Sequence, residues 1–311
     1  MTKIIKKIFV FALSAFFFSI SAHADNSRYI DHRGHNLDSL EIAAARWTAD
    51  KIEKASDEEL LRLVYTWHDL MLGYLNINPE LSMFYGRKVF NTSVRKGWKA
   101  MTWASAKVIG QLFWAKERYD SAAFYYNRAM QTIETMEVGA VSIDRPEGIS
   151  QFDIDNGLSA MYGTIGNLYS IQDSTDLAME YYAKAGEIFE KNGWKNALSN
   201  LHYNMAETWL DDGEVQRARS EYNTALSYAV QAGDSLLVAN STAGLGRLEL
   251  SQGHLRKAIR HLDEANRYYS AHNDEEWSAL LENIDYANQI LRLQKRQAKI
   301  GMVVSIIAIL L

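Results

Sequence analysis

The amino-acid sequence predicts an all-α solenoid of antiparallel helix pairs with a period of about 40 residues. Helix-breaking residues return at this one spacing, at Gly193, Gly233 and Asn273. Gly97 precedes Gly193 by two units, one of which carries an insertion. Small and aromatic residues recur in the same order between these breaks. Only two prolines are present, so long helices are rarely interrupted.

The repeat register is clearest in the unit that follows Gly193. Small residues let two helices approach closely, and aromatic residues fill the space between one pair and the next. In this unit the small and aromatic positions are Ala206, Trp209, Ala218, Tyr222 and Ala225, and in the unit before it they are Gly166, Tyr169, Ala178, Tyr182 and Ala185. The units after Gly97 and Gly233 repeat the pattern with Gly110, Phe113, Ala122, Tyr126 and Ala129, and with Gly246, Ala258, Leu262 and Ala265.

The order of these positions resembles the tetratricopeptide repeat family, in which an aromatic residue is followed by Leu-Gly, Tyr, Ala-x3-Phe and a final Ala. The resemblance covers residues 57–272 and implies a right-handed superhelical solenoid of about five helix pairs. The period here exceeds the family's roughly 34 residues, and the closing proline is missing. Glu249 also occupies the position where the last unit should have an aromatic residue.

An earlier, degenerate unit opens the repeat region. Ser56 followed by Glu59 is a capping box, a pattern that starts a helix. Asn78 and Pro79 predict the start of this unit's second helix, because Asn is a good N-cap and Pro is favoured in the first turn. We expect residues 25–56 to form an N-terminal helical cap before this unit.

A separate helix is predicted to close the repeat. A closed helical bundle with coincident alanines is the alternative to a solenoid, but a solenoid needs a distinct last helix over its open face. Residues 273–299 are predicted to be this capping and connecting helix. Asn273 can cap it, and Trp277, Ile284 and Leu291 contribute to its apolar stripe.

An inserted loop near residues 137–153 breaks the period. It is about 16 residues longer than its counterparts, which exceeds the usual length of a helix–helix connection. It contains Pro146, with Gly139 and Gly148 on either side. Two interpretations stay open for it: a plain surface loop, and a lid that faces a ligand.

The first 24 residues have the features of a secretory signal peptide. Lys3, Lys6 and Lys7 form a basic region, residues 8–20 are almost wholly apolar, and Ala24 ends an A-x-A cleavage site. An uncleaved membrane anchor is the alternative, but this apolar run is shorter than the roughly 20 residues that span a bilayer. We therefore expect residues 1–24 to be removed on export.

Residues 300–311 are apolar and uncharged, and they predict the start of a transmembrane helix. The alternative is a short tail buried against the solenoid or in a partner. If residues 300–311 begin a span, four cations flank it on the exported side, against the positive-inside tendency: Arg292, Lys295, Arg296 and Lys299. The earlier signal peptide fixes the orientation in spite of this. The predicted location is the inner membrane, with the solenoid in the periplasm.

Composition and motifs argue against several classes of function. The net charge is −5, and the leader lysines make the rest of the chain more acidic still, which argues against a nucleic-acid partner. The absence of cysteine excludes disulfides and thiolate metal sites. His32 and His35 are a weak metal signal, and no catalytic constellation can be placed on adjoining faces. We predict no enzyme, cofactor or metal ion for this chain.

The predicted binding surface is a concave groove lined by the first helix of each pair. Its exposed positions are expected to be rich in amides and aromatic rings. Asn side chains can bond both polar groups of an extended peptide, so a peptide, protein or glycan-like ligand is expected, and a solvated face that binds nothing tightly is the alternative. The groove positions are Lys107, Gln111, Trp114, Asn167, Asn200, Tyr203, Asn204, Glu207, Asn240 and Arg247.

The leader, the repeat region and the apolar residues 300–311 together predict a sensor. The layout resembles the periplasmic tetratricopeptide sensor region of Bacteroidetes-type membrane histidine kinases, which implies a signal-transduction output domain beyond residue 311. Similar regulators carry a helix-turn-helix output instead, and this chain itself contains no kinase motif. The alternative is a membrane-tethered periplasmic scaffold or assembly factor without signalling output. Both functions are compatible with a homodimer.

Overall fold

The computed structural model describes residues 37–272 and 282–298, which are helical apart from short connections and the inserted loop at residues 135–150. In this part of the chain the one strand-like feature is an isolated antiparallel bridge between Ser142 and Arg145. The predicted all-α fold of helix pairs is confirmed. The helices are α1 Leu37–Ala45, α2 Ala49–Lys54, α3 Asp57–Tyr74, α4 Pro79–Lys96, α5 Lys99–Ala115, α6 Tyr119–Glu134, α7 Gln151–Ile171, α8 Thr175–Asn192, α9 Lys195–Asp211, α10 Val215–Ala232, α11 Ser235–Ser251 and α12 Leu255–His272, and residues 282–298 form α13.

The predicted signal peptide, Asn273, Trp277 and the apolar residues 300–311 lie outside the described residues. Within the described ranges, no helix combines the length and the apolarity needed to cross a membrane.

Local signals begin the first two repeat helices as predicted. The Ser56 hydroxyl accepts from the Glu59 N–H at 3.3 Å, and the Glu59 carboxylate accepts from the Ser56 N–H at 3.0 Å, so the capping box before α3 is confirmed. Asn78 accepts from the Leu81 N–H at 3.2 Å and thereby caps α4. These contacts satisfy amide groups that have no partner inside their own helices.

Glycine ends the second helix of three units. Gly97, Gly193 and Gly233 have φ angles of 70°, 68° and 69°, a left-handed conformation that residues with a Cβ rarely adopt. Their N–H groups bond back into α4, α8 and α10. The predicted helix breaks at these positions are therefore confirmed.

The chain divides into two compact units, Met1–Ile188 and Phe189–Leu311, with the boundary inside α8. In the first unit, consecutive helices from α3 to α7 pack on one another, and α1 packs on α3. One hydrophobic cluster runs through these helices. Gly110 and Gly166 show why the repeat needs small residues: a Cβ there would lie 2.5 Å and 2.6 Å from the rings of Tyr126 and Tyr182.

The second unit repeats this arrangement. α9 packs on α10, α10 on α11 and α11 on α12, and α9 also contacts α11. Ile284 of α13 is buried in one cluster with Ala243, Leu262 and Tyr269 of the last pair. Ala287, nearly one turn later, is fully buried. α13 therefore covers the last pair, as predicted for the capping helix.

Candidate functional site

The ten predicted groove positions lie on the first helices of the pairs, on α5, α7, α9 and α11. Five of them are half-buried: Lys107, Gln111, Glu207, Asn240 and Arg247. The other five are buried: Trp114, Asn167, Asn200, Tyr203 and Asn204. The prediction that these last five are exposed is therefore wrong.

Second-helix tyrosines explain much of this burial. Trp114 packs against Tyr126, with ring centroids 6.3 Å apart, and Tyr203 packs edge-on against Tyr222 at 5.5 Å. Tyr182 contacts Asn167 through a hydrogen bond from its hydroxyl. Counting positions from the small residue placed these residues on the first helices, but it did not include the rings that pack over them from the second helix of each pair.

A polar contact recurs one repeat apart. In the first unit the Tyr182 hydroxyl donates to Asn167 Oδ1 at 2.7 Å. In the second unit the Tyr222 hydroxyl donates to Glu207 Oε1 at 2.5 Å. Each tyrosine follows its acceptor by 15 residues. Asn167 and Glu207 are equivalent positions of successive repeats, so one repeat position holds a polar side chain against the tyrosine of its own pair.

Arg247 occupies the same position in the next repeat and completes a network in the second unit. Its guanidinium donates to Glu207 Oε1 at 2.8 Å and also to the Tyr203 hydroxyl. The Arg247 and Glu207 side chains are 25% and 32% exposed, so the ion pair lies at the surface edge of a buried tyrosine pair. Three predicted groove positions are therefore brought together: Tyr203, Glu207 and Arg247.

The network fixes the charge states of its members. Burial by itself raises the pKa of Glu207, but the Arg247 charge and the hydrogen bonds from Tyr222, Arg247 and Tyr203 outweigh it and hold the pKa below its usual value. Burial, reinforced by the Glu207 carboxylate, raises the pKa of Tyr222 well above its ordinary value. Glu207 therefore stays an acceptor, and Tyr222 stays a donor, at neutral pH.

Two amide groups on α9 are left with unused donors. The Nδ2 atoms of Asn200 and Asn204 are buried and have no hydrogen-bond partner among the described residues. Asn200 is 2% exposed and Asn204 is 6% exposed. Their four-residue spacing places both side chains on one face of α9, and Tyr203 and Glu207 share that face. Buried donors are nearly always bonded, so this face lacks an acceptor.

The remaining predicted positions do not join this network. Asn240 accepts a hydrogen bond from the Tyr269 hydroxyl. In the first unit, the Lys107 ammonium lies 5.1 Å from the centroid of the Trp103 ring. The Asn167 Nδ2 atom is buried and unbonded among the described residues, as on α9. The unused amide donor is thus found in both units.

Glu249 is a buried carboxylate at the repeat position where an aromatic residue is expected. The repeat pattern identifies this exception but does not predict its partners. Its side chain is 3% exposed, and it contacts Arg219 of α10 and His254, which precedes α12. The His254 Nδ1 atom lies 2.7 Å from Glu249 Oε2. Burial raises the pKa of Glu249, but the hydrogen bonds from Arg219 and His254 more than offset this and lower it. A charge cluster replaces the aromatic residue of the other units.

The inserted loop is held in place by Asp144. Trp98, the N-cap of α5, makes no side-chain capping bond. Instead, Asp144 Oδ2 accepts from the Met101 N–H at 3.1 Å, and Asp144 Oδ1 accepts from the Ser142 hydroxyl at 2.7 Å. The loop therefore caps α5 from 43 residues away. Neither the plain-loop nor the lid interpretation included this contact.

No group of three or more His, Asp or Glu side chains able to hold a metal ion occurs among the residues that the structure describes. His32 and His35 lie outside them.

Comparison with known proteins points to the same fold. Residues 159–192 match the family model described as tetratricopeptide repeat. No curated protein sequence matches the chain. Among solved structures, the apo form of RapI is 14% identical, with 92% of this chain and 73% of that chain covered at a TM-score of 0.60. Aspartyl phosphate phosphatase F from Bacillus subtilis is 13% identical, with coverages of 93% and 71% at a TM-score of 0.52.

At these identities the likeness concerns the fold alone. The chain is a helical repeat protein with tetratricopeptide-like helix pairs, and residues 159–192 form a tetratricopeptide repeat.

Proposed function

We propose that the second unit binds an extended segment of a peptide or partner protein along the first-helix face formed by α9 and α11. The observation that carries this proposal is the pair of buried, unused amide donors at Asn200 and Asn204. A bound segment that offers acceptor oxygens would satisfy both donors, and its arrival would complete the face that the chain leaves incomplete.

The spacing of the two donors favours a peptide main chain over a glycan. Residues four apart in a helix are separated by about 6 Å along its axis. In an extended peptide, alternate residues are about 6.7 Å apart, and their carbonyl groups point to the same side. Asn200 and Asn204 can therefore bond to carbonyls i and i+2 of one segment.

The Tyr203–Glu207–Arg247 network supplies the remaining features of such a site. Its ion pair holds Glu207 and Arg247 together, and Glu207 lies on the same face of α9 as the two amides. The partly exposed guanidinium adds a cationic donor for a carbonyl or carboxylate of the ligand. The aromatic rings behind it provide a rigid base, so little side-chain freedom is lost on binding.

The test uses the detergent-solubilised full chain and a phage-displayed library of linear peptides. Wild-type protein should enrich peptides, and calorimetry then measures the Kd of one of them. The double variant Asn200→Leu/Asn204→Leu should bind that peptide at least about tenfold more weakly, because two hydrogen bonds are lost. Its thermal midpoint should equal or exceed that of the wild type, since Leu removes donors that are unpaired in the unbound chain.

Asn91→Leu is the matched control, because Asn91 is exposed on α4. It should leave the Kd unchanged. Equal affinity in the wild type and the double variant, or no enrichment of peptides by the wild type, would contradict the proposal.

We further propose that this binding module is exported and membrane-anchored, as the sensor region of a signal-transduction protein whose output domain follows residue 311. The basic and apolar leader with its A-x-A site supports export, and the apolar residues 300–311 support anchoring. The sensor histidine kinase is the preferred output because the layout resembles that class. The alternative, a periplasmic scaffold or assembly factor, shares the export and anchoring but has no output domain.

Two measurements separate these possibilities. Mass spectrometry of the membrane-extracted protein should give an N-terminus at Asp25, and an intact Met1 would contradict export by cleavage. Sequencing the encoding locus past codon 311 should reveal an open frame that continues into a kinase or DNA-binding region. A stop codon soon after codon 311 would favour the scaffold.

A further inference from the structure

Two segments of the second unit bring cations together and contain no carboxylate of their own. Residues 252–260, at the start of α12, contain Arg256, Lys257 and Arg260, and residues 288–298 of α13 contain Arg292, Lys295 and Arg296. All six cations are exposed. They are here called the basic patch.

The two segments meet in space. A cleft of about 460 Å³ is lined by Leu255, Arg256 and Lys257 from α12 and by Leu291 and Lys295 from α13. Leu255 is buried and Leu291 is half-buried, so the cleft has an apolar base beneath a cationic rim.

The nearby carboxylates leave the patch cationic. On α12, Asp263 and Glu264 lie three and four residues after Arg260 and can offset that one cation, but neither of them lines the cleft. Glu249 attracts Lys257, but its carboxylate is buried and already bonded to Arg219 and His254. The nearest described acidic residues of α13, Glu282 and Asp285, lie about two turns or more before Arg292 along the helix.

The patch is unusual for this chain. The chain as a whole carries a net charge of −5, so its general surface repels anionic partners. A single-sign cationic region on such a protein indicates a local anionic partner. The apolar residues 300–311 follow directly after the basic end of α13 in sequence, which places a bilayer next to the patch if the membrane anchoring proposed above is correct.

We propose that the basic patch binds the headgroups of anionic phospholipids, with the apolar base of the cleft accepting the adjoining glycerol region. This inference rests on the proposed membrane anchoring, and it does not depend on peptide binding. It also accounts for the cations that flank the predicted span on the exported side, because they would face anionic headgroups of the outer leaflet.

The test measures binding of the full chain to vesicles by co-sedimentation. Vesicles of phosphatidylcholine alone are compared with vesicles that contain about 30 mol% phosphatidylglycerol. The apolar segment should give a baseline affinity for both. The anionic lipid should strengthen binding at least about tenfold, since each cation near an anionic surface contributes favourably. Raising NaCl to about 0.5 M should remove this increment, because salt screens the attraction.

The variant Arg256→Gln/Lys257→Gln/Lys295→Gln should lose most of the phosphatidylglycerol increment and keep the baseline. Its matched control, Arg87→Gln/Arg95→Gln/Arg128→Gln, removes three exposed cations from the first unit and should keep the increment. All six substitutions are at exposed positions, and far-ultraviolet circular dichroism should show unchanged helix content.

An increment that is absent in the wild type, or that both triple variants lose equally, would overturn the proposal. If the wild type binds anionic vesicles but has no affinity for phosphatidylcholine alone, the basic patch is supported and the anchoring role of residues 300–311 fails. The lipid inference and the proposed anchoring can therefore fail separately.

Discussion

Glu249 shows at the scale of one residue how the repeat tolerates a charge in an aromatic position. Its carboxylate is almost fully buried, yet it is bonded from two sides by Arg219 and His254. A buried carboxylate without such partners would carry a large desolvation cost. The cluster joins α10, α11 and the residue that precedes α12, so one side chain connects two helix pairs of the second unit.

We predict that Glu249 makes the stability of the second unit depend on pH. Because the folded state lowers the pKa of this carboxyl, its contribution is complete above the unfolded value near 4.5 and is lost as the pH falls through the folded value. Glu249→Gln should lower the unfolding free energy by about 2 kcal/mol at pH 7. Between about pH 6 and 3, the loss of stability should be smaller in this variant than in the wild type.

Urea unfolding followed by circular dichroism at several pH values measures both effects. Glu264→Gln removes an exposed carboxylate from α12 and should follow the wild-type curve. Parallel pH curves for wild type and Glu249→Gln would show that the Glu249 carboxylate does not carry the pH dependence.

The sequence could assign the predicted groove residues to the first helices, but it could not predict their burial. Tyr203 and Asn204 were placed correctly on a first helix, because the small residues give the register of each unit. Tyr203 is buried because the ring of Tyr222, from α10 of the same pair, packs against it. Fraction buried is a tertiary property, so periodicity within one helix cannot supply it.

At the scale of helices, local signals were reliable where their partners are close in sequence. Ser56 and Glu59, or Asn78 and Leu81, are three residues apart, and the backbone alone brings them together. The cap of α5 shows the opposite case. No residue near Trp98 supplies a side-chain acceptor to the first turn, and Asp144 reaches it from the inserted loop. A contact across 43 residues leaves no local pattern in the sequence.

We predict that Asp144→Ala destabilises α5 and the loop together. The loss of a capping acceptor should cost about 1–2 kcal/mol. Hydrogen exchange of the Met101 amide should become faster, because its acceptor is removed, whereas the Thr102 amide keeps its bond to the Trp98 carbonyl. Asp144→Asn should have an intermediate effect, since its amide oxygen can still accept.

Glu137→Ala is the matched control in the same loop, because Glu137 is exposed. It should leave the exchange of the Met101 amide unchanged. Unchanged exchange in Asp144→Ala would show that the tertiary cap adds nothing to α5.

At the scale of the whole chain, the stability of each helix pair depends on the pairs that stack against it. In repeat proteins each pair contacts the adjoining pairs, so an uncovered last pair is the weakest. Ile284 and Ala287 of α13 supply the cover for the last pair here. This role was predictable because an open apolar face requires a closing helix with its own apolar stripe.

We predict that Ile284→Asp loosens the end of the second unit. A charge placed in the cluster with Leu262 and Tyr269 should increase hydrogen exchange throughout α11 and α12. The exchange of α3 to α6 should not change, because the stability of a repeat depends mainly on its sequence-adjacent neighbours. Tyr286→Asp is the control on the same helix, since Tyr286 is 57% exposed. A uniform increase along the chain would contradict the nearest-neighbour description.

The hydrogen bond from the Met101 N–H of α5 to Asp144 can form only after the inserted loop has been synthesised. At ordinary translation rates the 43 residues that separate Met101 from Asp144 take about 2 to 9 s to be added. For that time the first turn of α5 lacks its side-chain acceptor. The capped form of α5 is therefore reached only after α6 and the loop have emerged. A slow codon cluster between positions 115 and 144 would lengthen the interval in which the apolar face of α5 is open to chaperones.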